Sequence, residues 1–98
     1  MAQTTEKIIT PTLDILIKLF GSYDENINVI KKMLDVDVVN IGGNLHFSGE
    51  SDRVALAVKV TQKLINFIQK DEQIDVGRVT YLCECALEDK LEETDQLL

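Results

Sequence analysis

Apolar residues recur along this chain in two rhythms, and the change from one to the other marks its elements. Residues 6–10, E-K-I-I-T, are short, rich in β-branched side chains and followed by Pro11. That predicts a first or edge strand which stops there, because proline biases Thr10 away from helical geometry. Thr12 is then placed to cap a helix whose apolar face is Leu13, Leu16, Ile17 and Phe20, and Gly21 ends it in the position where a left-handed residue is usual. The next stretch, residues 20–34, F-G-S-Y-D-E-N-I-N-V-I-K-K-M-L, is the most sharply bounded. Ser22 and Glu25 have the spacing of a capping box, and Asp24 and Glu25 put negative charge in a first helical turn. Ile27, Ile30 and Leu34 follow on one face, so a second helix is predicted from about Tyr23 to Leu34.

The rhythm then shortens. Val36 and Val38, then Leu45 and Phe47, alternate with polar neighbours on either side of Gly42-Gly43-Asn44, a β-hairpin signal in which Gly and Asn supply positive φ. His46 falls between Leu45 and Phe47 and should point away from the core. Ser51 is the expected cap of a long helix. Over residues 52–70 the apolar side chains Leu56, Phe67, Val60, Leu64, Ala57, Ile68, Val54, Ile65 and Val58 fill an arc of about 200° on a wheel of 100° per residue. A surface helix shows a stripe nearer ~100°. This helix should therefore be covered twice, by the sheet and by the last helix. Asp75 caps that last helix, whose face is Val79, Leu82, Cys83, Ala86 and Leu87; the wheel puts Cys83 inward and Cys85 outward. The resulting expectation is an α+β domain of order β-α-α-β-β-α-α, with a three-stranded antiparallel sheet and its helices on one face.

Composition narrows the function classes. The 98 residues suit one domain, and the net charge is −7. Residues 1–70 carry eight basic and eight acidic side chains, whereas residues 71–98 carry nine acids against Arg78 and Lys90. A neutral body with an acidic end lacks the Lys/Arg excess of a nucleic-acid footprint. No apolar run approaches the ~20 residues of a membrane span, and the start has no secretory signal core. Cys83 and Cys85, two apart in a helical segment, point about 200° from each other and cannot bridge there. Reduced thiols fit a cytoplasmic setting. With one histidine the chain has too few ligands for a zinc site and nothing for a Ser/His/Asp relay. No G-x-x-x-x-G-K-[ST] and no G-x-G-x-x-G occurs, and the paired acids lie in turns or on solvated faces. No catalyst and no cofactor are expected in this chain.

The predicted element order resembles the type I K-homology (KH) plan with one added helix. In KH domains a G-x-x-G loop between the first two helices holds nucleic-acid backbone; the equivalent place here reads Gly21-Ser22-Tyr23-Asp24. Residues 20–50 resemble more closely the N-terminal domain of the PhoH-like proteins. Phe20, Gly21, Asp24, Glu25, Asn26, Ile27, Val36, Gly43, Asn44 and Gly49 match that family's pattern, and Asp35 departs from it where Gly is common. The resemblance implies that residues 1–98 form a single KH-like N-terminal domain, with a core of about 6–90, and that 91–98 are a frayed end or the start of a linker. It also implies a longer bacterial, cytoplasmic parent: a P-loop ATPase of the phosphate-starvation-inducible family, linked to RNA metabolism. ATP and Mg would bind in a C-terminal ATPase domain outside this sequence.

Two roles follow from the resemblance. One is an accessory module that brings single-stranded RNA, with Gly21, Ser22, Tyr23, Asp24, Lys31 and Lys32 as the contact residues. The other is a protein-interaction, regulatory or oligomerisation module that docks on the parent's ATPase domain or between its subunits. The residues themselves set a further expectation against the first: Tyr23, Asp24 and Glu25 should keep the turn from holding phosphate as a G-x-x-G loop does.

Overall fold

The computed structural model describes residues 2–10 and 12–89. Seven longer elements and one short turn follow in the order β1 (Gln3–Ile9), α1 (Leu13–Phe20), a 3-10 turn (Ser22–Asp24), α2 (Glu25–Leu34), β2 (Asp37–Ile41), β3 (Asn44–Glu50), α3 (Ser51–Gln69) and α4 (Val76–Leu87). The order and the α+β class are those expected from the sequence. The expected ragged end at 91–98 lies outside the described residues.

β3 is the middle strand of an antiparallel sheet ordered β1-β3-β2. Ile8 pairs with Leu45, and Val38 pairs with Phe47. The period of two puts these four on one face, where all are buried. His46 lies on the other face, in register with Lys7 and Val39. The β2–β3 connection uses positive φ at Gly42 and Gly43, with the Asn40 Oδ1 accepting from the Gly43 N–H at 3.0 Å. Glycine thus supplies both left-handed residues, and Asn44 already belongs to β3. β1 starts earlier than expected, at Gln3, because the Ser51 N–H donates to the Ala2 carbonyl at 3.0 Å and ties the strand to the start of α3. Ser51 is accordingly the first residue of α3, not its cap; Glu50 holds the cap position without a side-chain bond.

α3 lies across β1 and β3 on the inner side and is covered on its other side by α4, which also packs along α2. Leu64, Val60, Val54 and Ala57 have no exposure. Thr61 is fully buried among them, and its Oγ1 has no hydrogen-bond partner.

Two inner faces differ from the sequence expectation. In α1 the buried residues are Ile15, Leu16 and Leu19, while Leu13 and Ile17 are 70% and 61% exposed. α1 is apolar at six of its eight positions, so periodicity offered more than one arc, and its seat against α3 and α2 decided between them. In α4, Cys85 is buried as well as Cys83. Two residues ~200° apart are both covered because α4 touches two helices rather than one.

Candidate functional site

The α1–α2 turn is built on three backbone departures within four residues. Gly21 has φ 76° and ψ −178°, Tyr23 φ 54° and Asp24 φ 59°. Thr12 caps the start of α1, its Oγ1 accepting from the Ile15 N–H at 3.2 Å, and the Gly21 N–H closes the end on the Ile17 carbonyl at 3.1 Å. Gly21 is needed for two reasons: its dihedrals suit a residue without Cβ, and a Cβ there would lie 2.7 Å from the Asn26 Nδ2. Left-handed geometry at Tyr23 and Asp24 costs these L residues of order 1–3 kcal/mol each. Asp24 stands where the second glycine of a G-x-x-G loop would stand, and it takes up a glycine-like conformation.

The predicted capping box does not form. Ser22 lies inside the 3-10 turn, α2 begins at Glu25, and neither Ser22 nor Asp24 caps it through a side chain. The 3-10 turn holds Ser22 three residues ahead of a helix whose cap is now Asp24, so the box spacing no longer brackets the helix start. The Glu25 N–H goes instead to the Ser22 carbonyl. Gly21, Ser22, Tyr23 and Asp24 are therefore together, with Tyr23 99% exposed at the tip. Lys31 and Lys32 are not with them. They belong to the last turn of α2, about 10 Å along the axis, and Lys31 pairs with Asp37 at 3.7 Å.

What the turn faces is the segment between α3 and α4. Together they bound a cleft of about 480 Å³, lined by Lys18, Gly21 and Asn26 on one side and by Asp71, Glu72 and Asp75 among others on the opposite side. The last turns of α1 and α3, the first turn of α2 and the capping residue of α4 all reach it. Two negative and two positive helix ends offset one another, so the side chains set the sign. Glu25, Asp71, Glu72 and Asp75 stand against Lys18. Asp75 caps α4 by accepting from the Arg78 N–H at 2.9 Å, and Glu72 pairs with the Arg78 guanidinium at 3.4 Å. Arg78 also lies over the Phe67 ring, 5.0 Å from its centre.

Asn26 and the 71–75 segment are the site residues that sequence reasoning missed. Asn26 was findable: it sits four residues before Ile30, so it is a polar residue on the apolar face of α2. It is 2% exposed, and its Nδ2 points to the Lys18 carbonyl at 3.5 Å, holding the end of α1 to the start of α2. The 71–75 segment has no local signal, since only the fold brings it to the turn. Among the described residues no group of three or more His, Cys, Asp or Glu could hold a metal, and no helix is long and apolar enough to cross a membrane.

No protein-family model matches the sequence. Over 55 residues, 56% of this chain, it is 36% identical to a PhoH-like protein of Mycobacterium leprae (strain TN). That match spans 16% of the relative's length. A relation to PhoH-like proteins is thus carried by part of the chain. The crystal structure of a protein of unknown function from Aeropyrum pernix superposes on 97% of this chain and 51% of its own, with a TM-score of 0.71 at 12% sequence identity. That likeness is one of fold.

Proposed function

We propose that this domain is a non-catalytic accessory module of a PhoH-like protein, and that it works by docking on protein rather than by holding RNA. The parent's own ATPase region is the first candidate partner. The observation that carries this reading is the acidic cleft beside the turn. A phosphate at the G-x-x-G position would meet Asp24 in the turn, Glu25 at the start of α2, and Asp71, Glu72 and Asp75 across from them. Like charges ~4 Å apart repel by about 1–4 kcal/mol between water-like and surface-like screening. Lys31 and Lys32 are too far along α2 to offset this. In this reading the KH-like order supplies a scaffold whose loop has lost its phosphate chemistry. ATP and Mg belong to the parent's ATPase region, because no segment of this chain has the sequence of a phosphate-cradling loop.

Fluorescence anisotropy with a labelled single-stranded RNA at low salt tests the choice. No saturable binding by the wild type is expected, and binding that emerges only in Asp24→Gly supports the reading. Micromolar binding by the wild type that fades when Asp24 or Gly21 is altered would restore the RNA-binding role. The docking role is read separately, by titrating the isotope-labelled domain with the parent's ATPase region.

A further inference from the structure

Asn26 gives the cleft a feature that charge alone does not. Its side chain lines the cleft and is 2% exposed, its Nδ2 is directed to the Lys18 carbonyl, and its Oδ1 has no hydrogen-bond donor. A buried acceptor left without a donor is unfavourable. The surrounding carboxylates divide into two kinds. Asp75 and Glu72 are engaged by the backbone and side chain of Arg78. Glu25 and Asp71 are exposed, and among the described residues neither has an ion-pair partner. The cleft therefore brings together two unpaired carboxylates and an amide acceptor that lacks a donor but is closed off from solvent, to be met only when the lining side chains part, with Lys18 as the opposing charge.

We propose that the cleft receives an arginine side chain from a segment of the docking partner. This rests on the docking reading above and names the chemistry of the partner at that same site. A guanidinium is donor-only, permanently charged and planar, with five N–H groups in a fork. It can donate to a carboxylate and to an amide oxygen at once, which a lysine ammonium does with less geometric fit. Tyr23, at the tip of the adjoining turn and 99% exposed, provides a ring on which a guanidinium can stack as it enters. Phosphate, carboxylate and acidic peptides are disfavoured by the same side chains.

The test is a titration of the full isotope-labelled chain with three short, otherwise identical capped peptides bearing arginine, lysine or uncharged citrulline at the central position. The signals followed are the Asn26 side-chain amide and the backbone amides of Glu25 and Asp71. Saturable shifts at all three are expected with the arginine peptide, weaker ones with lysine and none with citrulline. Glu25→Gln together with Asp71→Asn should weaken the arginine peptide about tenfold while moving the thermal midpoint by only a few degrees, as loss of one first-turn charge does. Equal shifts with citrulline, no shift at the cleft, or indifference to the double substitution would each overturn the proposal. If the ATPase region shifts the domain elsewhere while the arginine peptide leaves the cleft silent, this inference fails and the docking reading stands. RNA binding at the turn defeats that reading itself.

Discussion

A methyl group on Gly21 would sit 2.7 Å from the Asn26 Nδ2 and 3.0 Å from its Cγ, so these two residues, five apart, behave as one unit. The backbone term alone makes Gly21→Ala cost roughly 1–3 kcal/mol, since φ 76° with ψ −178° is a region for glycine. Part of any further loss belongs to the clash. The expected outcome is that Gly21→Ala in an Asn26→Ala background costs at least ~0.5 kcal/mol less than in the wild type, a coupling of contacting residues read by a double-mutant cycle in urea. Additive losses would mean that the pair does not touch. Asp35 is the opposite case. It ends α2 in the left-handed region at φ 55°, with its N–H on the Lys31 carbonyl. That conformation costs a non-glycine residue about 1–2 kcal/mol, and glycine gives back roughly 0.5–1 kcal/mol in unfolded-chain entropy. Asp35→Gly should therefore raise the unfolding free energy by about 0.5–1 kcal/mol, and a fall in the urea midpoint would contradict this.

Among the elements, α3 shows how far periodicity reads through to packing. Its wide apolar arc specified two covers, and the fold supplies both, the sheet below and α4 above. Leu64 lies at the centre of that arc with no exposure. Leu64→Ala should cost roughly 2–5 kcal/mol by chemical denaturation; an unchanged midpoint would mean that the layers are wrongly assigned. α1 shows where the same reasoning stops. Leu13 and Ile17 fit the helical period as well as Ile15 and Leu19 do, and only the position of α1 against α2 and α3 selects the second set. Thr61 marks a related limit, since a threonine inside a mostly apolar arc gives no sign that its hydroxyl will be buried without a partner. The turn after α1 was legible as a turn because Gly21 is glycine. Its inner geometry was not, because Tyr23 and Asp24 hold positive φ without a residue type that announces it. The cleft opposite was invisible for a simpler reason: residues 71–75 are nearly fifty positions away in sequence.

At the scale of the whole molecule, stability is read as one cooperative quantity, so a single buried group on α4 can set a pH dependence for all of it. Cys83 is that group. It has no exposure, and burial, reinforced by the neighbouring Glu84 carboxylate, pushes its thiol from 9.0 up to about 12. Below pH 9 both folded and unfolded chains keep the proton, and the thiol contributes no slope. Above it the unfolded chain releases the proton while the folded chain retains it, so unfolding is favoured by up to about 1.4 kcal/mol per pH unit until the folded pKa is reached. The net charge of −7 adds self-repulsion in the same direction as further groups deprotonate. The two contributions separate in Cys83→Ala, which removes the thiol and keeps the rest of the charge. Urea midpoints at pH 8, 9 and 10 should fall more steeply for the wild type than for the variant, even though the variant starts lower because of the atom it lacks. Parallel slopes would mean that the thiol meets solvent in the folded chain, and that α4 does not close over α3 as described.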